Sequence, residues 1–400
     1  MRVLHLTTEF PPIIYGGLGT AAGGLVKALA ASGVDVAVLL IGNASGTSYR
    51  EFAPDRSVTA RRWRAGRAMI FEASWFEDID VLVSRVRQWG ADILHLHSFW
   101  LWPIAQALRQ KLGLPLVYTV HSLDRAEYEL GAGPPQCIGQ WTQQETVIYG
   151  ADIVVSLTGS ERELLTQYCP GVDGRIRVVG NGIDDCPLSR TEPRGSEAPT
   201  VLFSGRFVDR KGIHELISAI SIVLAAAPTV KFVLAGGHRG CPASQMEAWL
   251  LPECLRPYRS QIHFTGWLTP QQLTEWYRAA NILVVPSWYE PFGMVVLEGM
   301  IHGLAVAASA VGGPAEILRH GETGLLFPPC DAGALARAIL QLTQDTELRL
   351  RLAAAGARDV RENWLWPCIV QKMLRVYDET IGGTNASSSE PNCQTMPSVI

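Results

Sequence analysis

Residues 285–300, Val-Pro-Ser-Trp-Tyr-Glu-Pro-Phe-Gly-Met-Val-Val-Leu-Glu-Gly-Met, read as an apolar strand that turns directly into a helix. Glu290 stands before the turn, Gly293 opens the helix, and Glu298 lies deeper within it. Open α/β sheets take their ligands in the crevice outside the carboxyl ends of parallel strands, and a new helix there offers unpaired N–H groups and a positive dipole end to an anion. Two carboxylates beside such a terminus suit a ligand that carries hydroxyls as well as phosphate. Hydroxyls bound to a carboxylate in a closed cleft contribute on the order of 1.5–3 kcal/mol each. Two glutamates at this spacing are common by chance, so the reading leans on Pro286-Ser287 before them and Pro291-Phe292-Gly293 between. The bland alternative is one charge near a helix start and one on a solvated face.

Outward from that stretch, strands and helices alternate along most of the chain. The second half reads as a strand at 201–204, the loop Gly205-Arg206-Phe207-Val208-Asp209-Arg210-Lys211-Gly212, a helix at 213–226, and strands at 231–235 and 262–265. A helix at 270–280, strands at 282–286 and 305–308 and two late helices complete it. The first half opens with a strand at 2–8, a helix at 20–32 stopped by Gly33, and a strand at 34–41. Strands at 92–97, 115–121, 153–157 and 175–179 follow, with helices near 76–89, from Trp102, and at 141–149. The fold expected is α/β, two doubly wound Rossmann-like domains. The first spans 1–183, and residues 184–199, rich in Pro, Ser and charge, are the linker. The second spans 200–361; an amphipathic helix over 362–379 is expected to return to the first domain, and 382–400 has the composition of a disordered tail.

Composition narrows the function. Among 400 residues 48% are hydrophobic, and a formal charge of −4 gives no basic bias, so a general nucleic-acid binder is disfavoured. Eight cysteines stand singly, without a C-x-x-C, as in a reduced cytoplasmic protein rather than a disulfide scaffold or zinc module. The first residues lack the apolar core of a signal peptide, and no run approaches the ~20 apolar residues of a membrane span.

Arg206 and Lys211, bracketed by Gly205 and Gly212, follow the first strand of the second domain, where both reach one diphosphate; alone they would read as solvated loop charges. A fixed cation on a departing diphosphate lowers a barrier by roughly 2.7–4 kcal/mol, the scale of one well-placed donor. Gly17-Leu18-Gly19-Thr20-Ala21-Ala22 matches the dinucleotide fingerprint, but two prolines separate it from its strand and no acid ends the next one. A loop that closes on phosphate or sugar fits better. His121 ends a strand and so stands at a ligand edge; its competing reading is a structural histidine. His95 and His97 share a strand face and invite a metal with His121, yet no further ligand has recognisable spacing. Asp78-Ile79-Asp80 resembles a metal-binding D-x-D but opens a helix, where acids are ordinary. Arg56, Arg61, Arg62, Arg64 and Arg67 around Trp63, with Met69, Ile70 and Phe71 beyond, suit a solvated loop and peripheral contact with anionic lipid equally. Trp100 and Trp102 read as core more readily than as stacking platforms for a sugar.

Taken together these residues resemble the GT-B glycosyltransferases, specifically the retaining family 4 group, with likeness to glycogen and starch synthases. The resemblance rests on Glu290-Pro-Phe-Gly through Glu298, Gly205-Arg206 with Lys211-Gly212, Gly312-Gly313-Pro314-Ala315-Glu316, Gly321 to Phe327, and Gly16-Gly17. It covers residues 1 to about 380. It implies a hexosyltransferase that moves sugar from a nucleoside-diphosphate donor to the hydroxyl of a glucan, saccharide or lipid-linked acceptor. By this resemblance Glu290 meets donor-sugar hydroxyls, Glu298 the ribose, Arg206 and Lys211 the diphosphate, and Gly16 and Gly17 the phosphate or sugar. His121 lies beside the transferred sugar, and Phe292, Gly293 and Met294 complete the donor site. No metal or other cofactor is implied, and oligomeric state is not legible. One departure is Gly180-Asn181-Gly182, where many members carry Pro-Asn-Gly. Retention comes from the resemblance alone, since His121 reads equally as a general base for inversion. A sugar-nucleotide epimerase and a non-catalytic nucleotide-sugar binder remain as alternatives.

Overall fold

The computed structural model describes residues 1–12, 14, 16–42, 68–75, 77–131, 138–187 and 198–387. The first half runs β1 (Arg2–Thr7), α1 (Gly17–Ala31), β2 (Asp35–Gly42), β3 (Met69–Ser74), α2 (Ile79–Trp89), β4 (Ile93–Leu96), α3 (Trp102–Leu112), β5 (Leu116–Val120), α4 (Asp124–Glu129), α5 (Ile138–Gly150), β6 (Ile153–Ser156), α6 (Gly159–Tyr168) and β7 (Ile176–Val178). The second runs β8 (Thr200–Gly205), α7 (Ile213–Ala226), β9 (Lys231–Gly236), α8 (Ala243–Leu250), β10 (Ile262–Gly266), α9 (Pro270–Ala279), β11 (Ile282–Val285), α10 (Met294–Ile301), β12 (Ala305–Ser309), α11 (Gly312–Ile317), β13 (Leu325–Phe327), α12 (Ala332–Gln344) and α13 (Thr346–Asn363), followed by α14 (Trp366–Ser387).

Two parallel sheets result, ordered β3-β2-β1-β4-β5-β6-β7 and β10-β9-β8-β11-β12-β13. Each reverses direction once, between β1 and β4 and between β8 and β11, and that reversal opens the crevice of a doubly wound sheet. The central strands are buried on both faces, which is why β11 and β12 read as apolar runs, while β4 and β5 interrupt theirs with the buried His95 and Thr119. Helix ends follow ordinary chemistry. Thr269 and Gln272 form a capping box on α9, and Gly90 and Gly113 close α2 and α3 in the left-handed region.

Several expectations shift. Helix α1 begins at Gly17 rather than at residue 20, so the preceding loop ends at Gly16. Met69, Ile70 and Phe71 form the edge strand β3 against β2, with Ile70 buried, rather than a continuation of a loop. The Arg-rich run itself, most of the linker (188–197) and residues 388–400 lie outside the described residues. The last helix starts at Trp366 and continues to Ser387, so 382–387 are helix rather than tail. Elements α4, α6, α8, α11 and β13 went unread; α4, α11 and β13 are too short to show a period. Among the described residues no helix is long and apolar enough to cross a membrane.

Helix α14 packs on α1 and on the first sheet. Trp366, Ile369, Val370, Met373, Val376 and Tyr377 share a core with Val3, Leu25, Val36 and Val117. The chain crosses between domains at 183 and again at 364–366. There the Ile183 N–H donates to the Trp364 carbonyl (2.9 Å) and the Trp366 N–H to the Ile183 carbonyl (3.1 Å). Any side chain at Gly182 would strike Trp366, whose ring and Cα lie 2.6–2.8 Å from where a Cβ would be.

Candidate active site

In the second domain the crevice lies between β8, which delivers Arg206, and β11, which delivers Ser287 to Glu290. The two loops touch through Gly212. Its φ is +68°, and a Cβ there would sit 1.9 Å from the Pro286 carbonyl oxygen, so only glycine permits the approach. That contact brings Lys211 onto Glu290. The Lys211 Nζ and the Glu290 Oε2 form an ion pair, and Ser287 Oγ donates to the same oxygen at 3.0 Å. Burial alone would raise the Glu290 carboxyl, but Lys211, Arg210 and Ser287 overcome it and hold the group below its ordinary value. Lys211 is drawn down by its burial and by Arg210, against the pull of Glu290. Removing one partner of such a pair typically costs about 3–5 kcal/mol.

Around this pair stand groups that the sequence reading passed over. Arg210 faces Glu127 of α4 at 3.4 Å across the cleft and donates to the Tyr289 carbonyl at 3.4 Å. Arg206 is exposed; desolvation and Arg210 lower its guanidinium, and Glu127, Glu9 and Glu290 counter them. Three cations and three carboxylates therefore share the cleft. Arg210 was visible in the quoted loop, but nothing in the order of residues announces Glu9 or Glu127.

Glu298 accepts a 2.6 Å bond from the Tyr277 hydroxyl, and burial pushes its carboxyl up against that bond. Met294 is the first residue of α10 and half-buried, and Gly293 caps that helix with φ +90°. Phe292 differs from expectation. Its ring is buried and meets Trp364 edge-on at 5.6 Å, at the crossing point of the domains, so only its backbone remains for a ligand. Trp288 Nε1 and Ser309 Oγ, beyond β11 and at the end of β12, are buried without partners among the described residues.

The neighbouring Tyr289 leaves its own domain. It lies within a core cluster of the first domain, accepts from the Leu123 N–H (2.9 Å) and donates to Glu161 Oε2 (3.1 Å). Burial pushes Glu161 up to about 7, with Glu127 and Glu316 adding to the rise and the Tyr289 bond opposing it. From α11, the Glu316 carboxylate accepts from the N–H groups of Gly159 (2.9 Å) and Ser160 (2.8 Å) and from Ser160 Oγ (2.7 Å), capping α6 of the other domain. An acidic cap is what the positive end of α6 favours.

On the first domain's side, Gly16 and Gly17 open α1 with no atom of the described residues within 4 Å of where a Cβ would stand on either, and Glu9 Oε2 accepts from the Gly16 N–H at 3.1 Å. The residues of the dinucleotide-like pattern form the first turns of this helix. His121 stands just beyond β5. Its Nε2 lies 3.1 Å from His97 Nδ1, and His97 Nε2 lies 2.9 Å from His5 Nδ1. His95 is occupied at both nitrogens, by Tyr377 (2.6 Å) and Thr119 (2.7 Å). His5, His95 and His97 place ligand atoms within 4.8 Å of one another. Yet the His95 and His97 rings stack at 4.2 Å and both His95 nitrogens already have partners, so the group is built as a hydrogen-bonded stack. Desolvation depresses all four imidazoles, His5 to about 3 and His121 to about 4. Asp78 caps α2 by accepting from the Asp80 N–H, and Asp80 pairs with Lys111. Trp102 is core, whereas Trp100 is 41% exposed and packs on Phe99.

Comparison with known proteins agrees with this architecture. Residues 16–182 match the model of the glycosyl transferase 4-like domain and residues 188–359 that of glycosyl transferases group 1. Alpha-maltose-1-phosphate synthase of Mycolicibacterium smegmatis is 31% identical over 402 residues, covering 94% of this chain and 99% of that protein. Glycogen synthase of Mycobacterium tuberculosis is 28% identical over 409 residues, covering 94% of each. The structure of sucrose-phosphate synthase from Thermosynechococcus elongatus superposes with a TM-score of 0.78 at 24% identity, over 96% of this chain and 99% of that one. Anabaena HepE, solved with UDP-glucose, gives 0.71 at 19% identity, over 95% and 100%. With two facing Rossmann-like domains and both halves matched, the chain belongs to the group 1 glycosyltransferases of GT-B fold.

Proposed function

We propose that this glycosyltransferase moves a hexose from a nucleoside-diphosphate sugar to an acceptor hydroxyl with retention of anomeric configuration. The observation that carries the reading is the buried Lys211–Glu290 pair beside Arg206 and Arg210, at the switch point of the second sheet. Fixed cations at that point stabilise the charge that develops on a leaving diphosphate, each by roughly 2.7–4 kcal/mol. An arriving diphosphate competes with Glu290 for Lys211 and turns the carboxylate toward the sugar hydroxyls. Glu298 holds the ribose, and the N-terminus of α1 at Gly16 and Gly17 meets the phosphate or the transferred sugar. His121 lies beside that sugar. Domain closure excludes water, so the acceptor hydroxyl rather than water reaches the anomeric carbon. The printed names of the relatives, a glycogen synthase and an alpha-maltose-1-phosphate synthase, support a saccharide acceptor.

Charge neutralisation by Arg206, Arg210 and Lys211 needs no metal, so chelator is expected to leave the rate unchanged. The deciding experiment follows donor binding by thermal shift and transfer over a panel of saccharide acceptors, with product anomers read by NMR. Wild-type protein should transfer with retention, and Lys211→Ala and Glu290→Gln should each lose at least ~10²-fold in transfer. Tight donor binding without turnover on any acceptor would overturn the transferase reading, and an inverted product would overturn retention.

A further inference from the structure

Paired residues of neighbouring parallel strands point to the same face, as do residues two apart along one strand. His5 is in register with His95, and His95 with Val117, so His5, His95, His97, Thr119 and His121 share one face of the first sheet. That face lies under α1 and α14, whose buried side chains are apolar apart from the Tyr377 and Thr380 hydroxyls of α14. A polar row sealed there has to satisfy itself. His95 does so through Tyr377 and Thr119, which leaves His121, His97 and His5 as a chain of two hydrogen bonds.

Each bond in that chain needs one N–H and one lone pair, and a neutral imidazole has one of each. Only two arrangements exist. If the protons point inward from His121, the last one sits on His5 Nε2, a buried atom with no partner. If they point outward, His5 donates through Nδ1 to His97, His97 donates through Nδ1 to His121, and His5 Nε2 keeps only an unused lone pair. A buried N–H without a partner is the rarer and costlier defect. Burial keeps the rings of this chain neutral, as the accounting requires.

We infer that His5 and His97 are positioning residues that fix the tautomer of His121, with its Nε2 accepting from His97 and its proton held on Nδ1. With Nε2 taken by His97, Nδ1 is the ring nitrogen left to meet a ligand. His121 thus meets a substrate as a hydrogen-bond donor. It cannot collect the acceptor's proton on that nitrogen, which removes the general-base role and the inverting route built on it. The inference rests on the proposed function only in placing the transferred sugar beside His121.

The test uses the full chain labelled with 15N-histidine, the His121 signals being assigned by their loss in His121→Gln. Nδ1 of His121 should show a protonated, pyrrole-type shift and Nε2 a pyridine-type shift; the reverse pattern overturns the inference. This readout needs no turnover, so a protein that fails to transfer sugar but shows the expected tautomer defeats the proposed function and leaves the relay standing. Kinetics supply the second arm. His97→Leu should lower kcat on the order of 10²-fold with the donor KM little changed, whereas His97→Asn, which keeps a donor near the Nδ1 position, should recover most of it. Equal losses in two natively folded variants would make the contact structural only and sink the assignment.

Discussion

Glu290 and Glu298 come from one stretch of chain yet sit in different surroundings, and their roles should separate accordingly. Glu290 is tied to Lys211 and Ser287, while among the described residues the Glu298 carboxylate takes the Tyr277 hydroxyl alone. Glu298→Ala should therefore weaken binding of free nucleoside diphosphate in calorimetry, roughly 10-fold for one lost charged hydrogen bond. Glu290→Ala should spare that binding and abolish most transfer; equal loss of diphosphate affinity in both would undo the division. Glu161 supplies a pH test. Its folded value of about 7 lies above the ordinary 4.5, so between those limits the folded state holds the extra proton and stability falls as pH rises. From pH 5 to pH 8 the wild type should lose on the order of 1–3 kcal/mol by this route. Glu161→Gln should flatten that part of the denaturation profile, and an unchanged slope would show that Glu161 does not titrate there. Glu290, Arg206, Lys211 and His121 were legible because each follows a strand end, and Glu298 because it lies on the helix that Gly293 opens. His5 was not, since between Leu4 and Leu6 it looks like one more buried strand position.

At the scale of elements, the parallel strands were legible because burial on both faces makes them short, mainly apolar runs, interrupted in the first sheet by His5, His95 and Thr119. What the sequence could not show is which loops meet. Lys211 and Glu290 are 79 positions apart, and Tyr289 and Glu161 are 128 apart, so no local pattern records either pair. Gly212 is the place to test the first meeting. Gly212→Ala puts a methyl into the Pro286 carbonyl and a β-carbon at a positive φ, so it should cost more than ~1 kcal/mol in thermal stability. Transfer should fall with it, because the loop that presents Lys211 has to retreat. A variant with native midpoint and native activity would mean that the two loops are not held together as described.

The whole molecule is closed by contacts that each domain makes on the other, Tyr289 and Glu316 from the second and Glu127 and Glu161 from the first. The first domain is also incomplete without α14, whose six core residues each contribute about 1.5–3 kcal/mol by burial. Truncation after Asn363 should therefore leave the first domain unable to fold cooperatively, seen as loss of its thermal transition and aggregation; a monomeric truncated chain with that transition intact would refute this. The return of α14 also bears on biosynthesis. While the ribosome is still making the second domain, the part of the first sheet that α14 covers beside α1, Val117 on β5 included, waits open. The nascent chain carries that sticky surface through most of translation, so α7 to α13 are made in the presence of an unfinished neighbour. Chaperone dependence of this enzyme is thus expected to track the delay before residue 366 emerges, and supplying α14 as a separate peptide should shorten it.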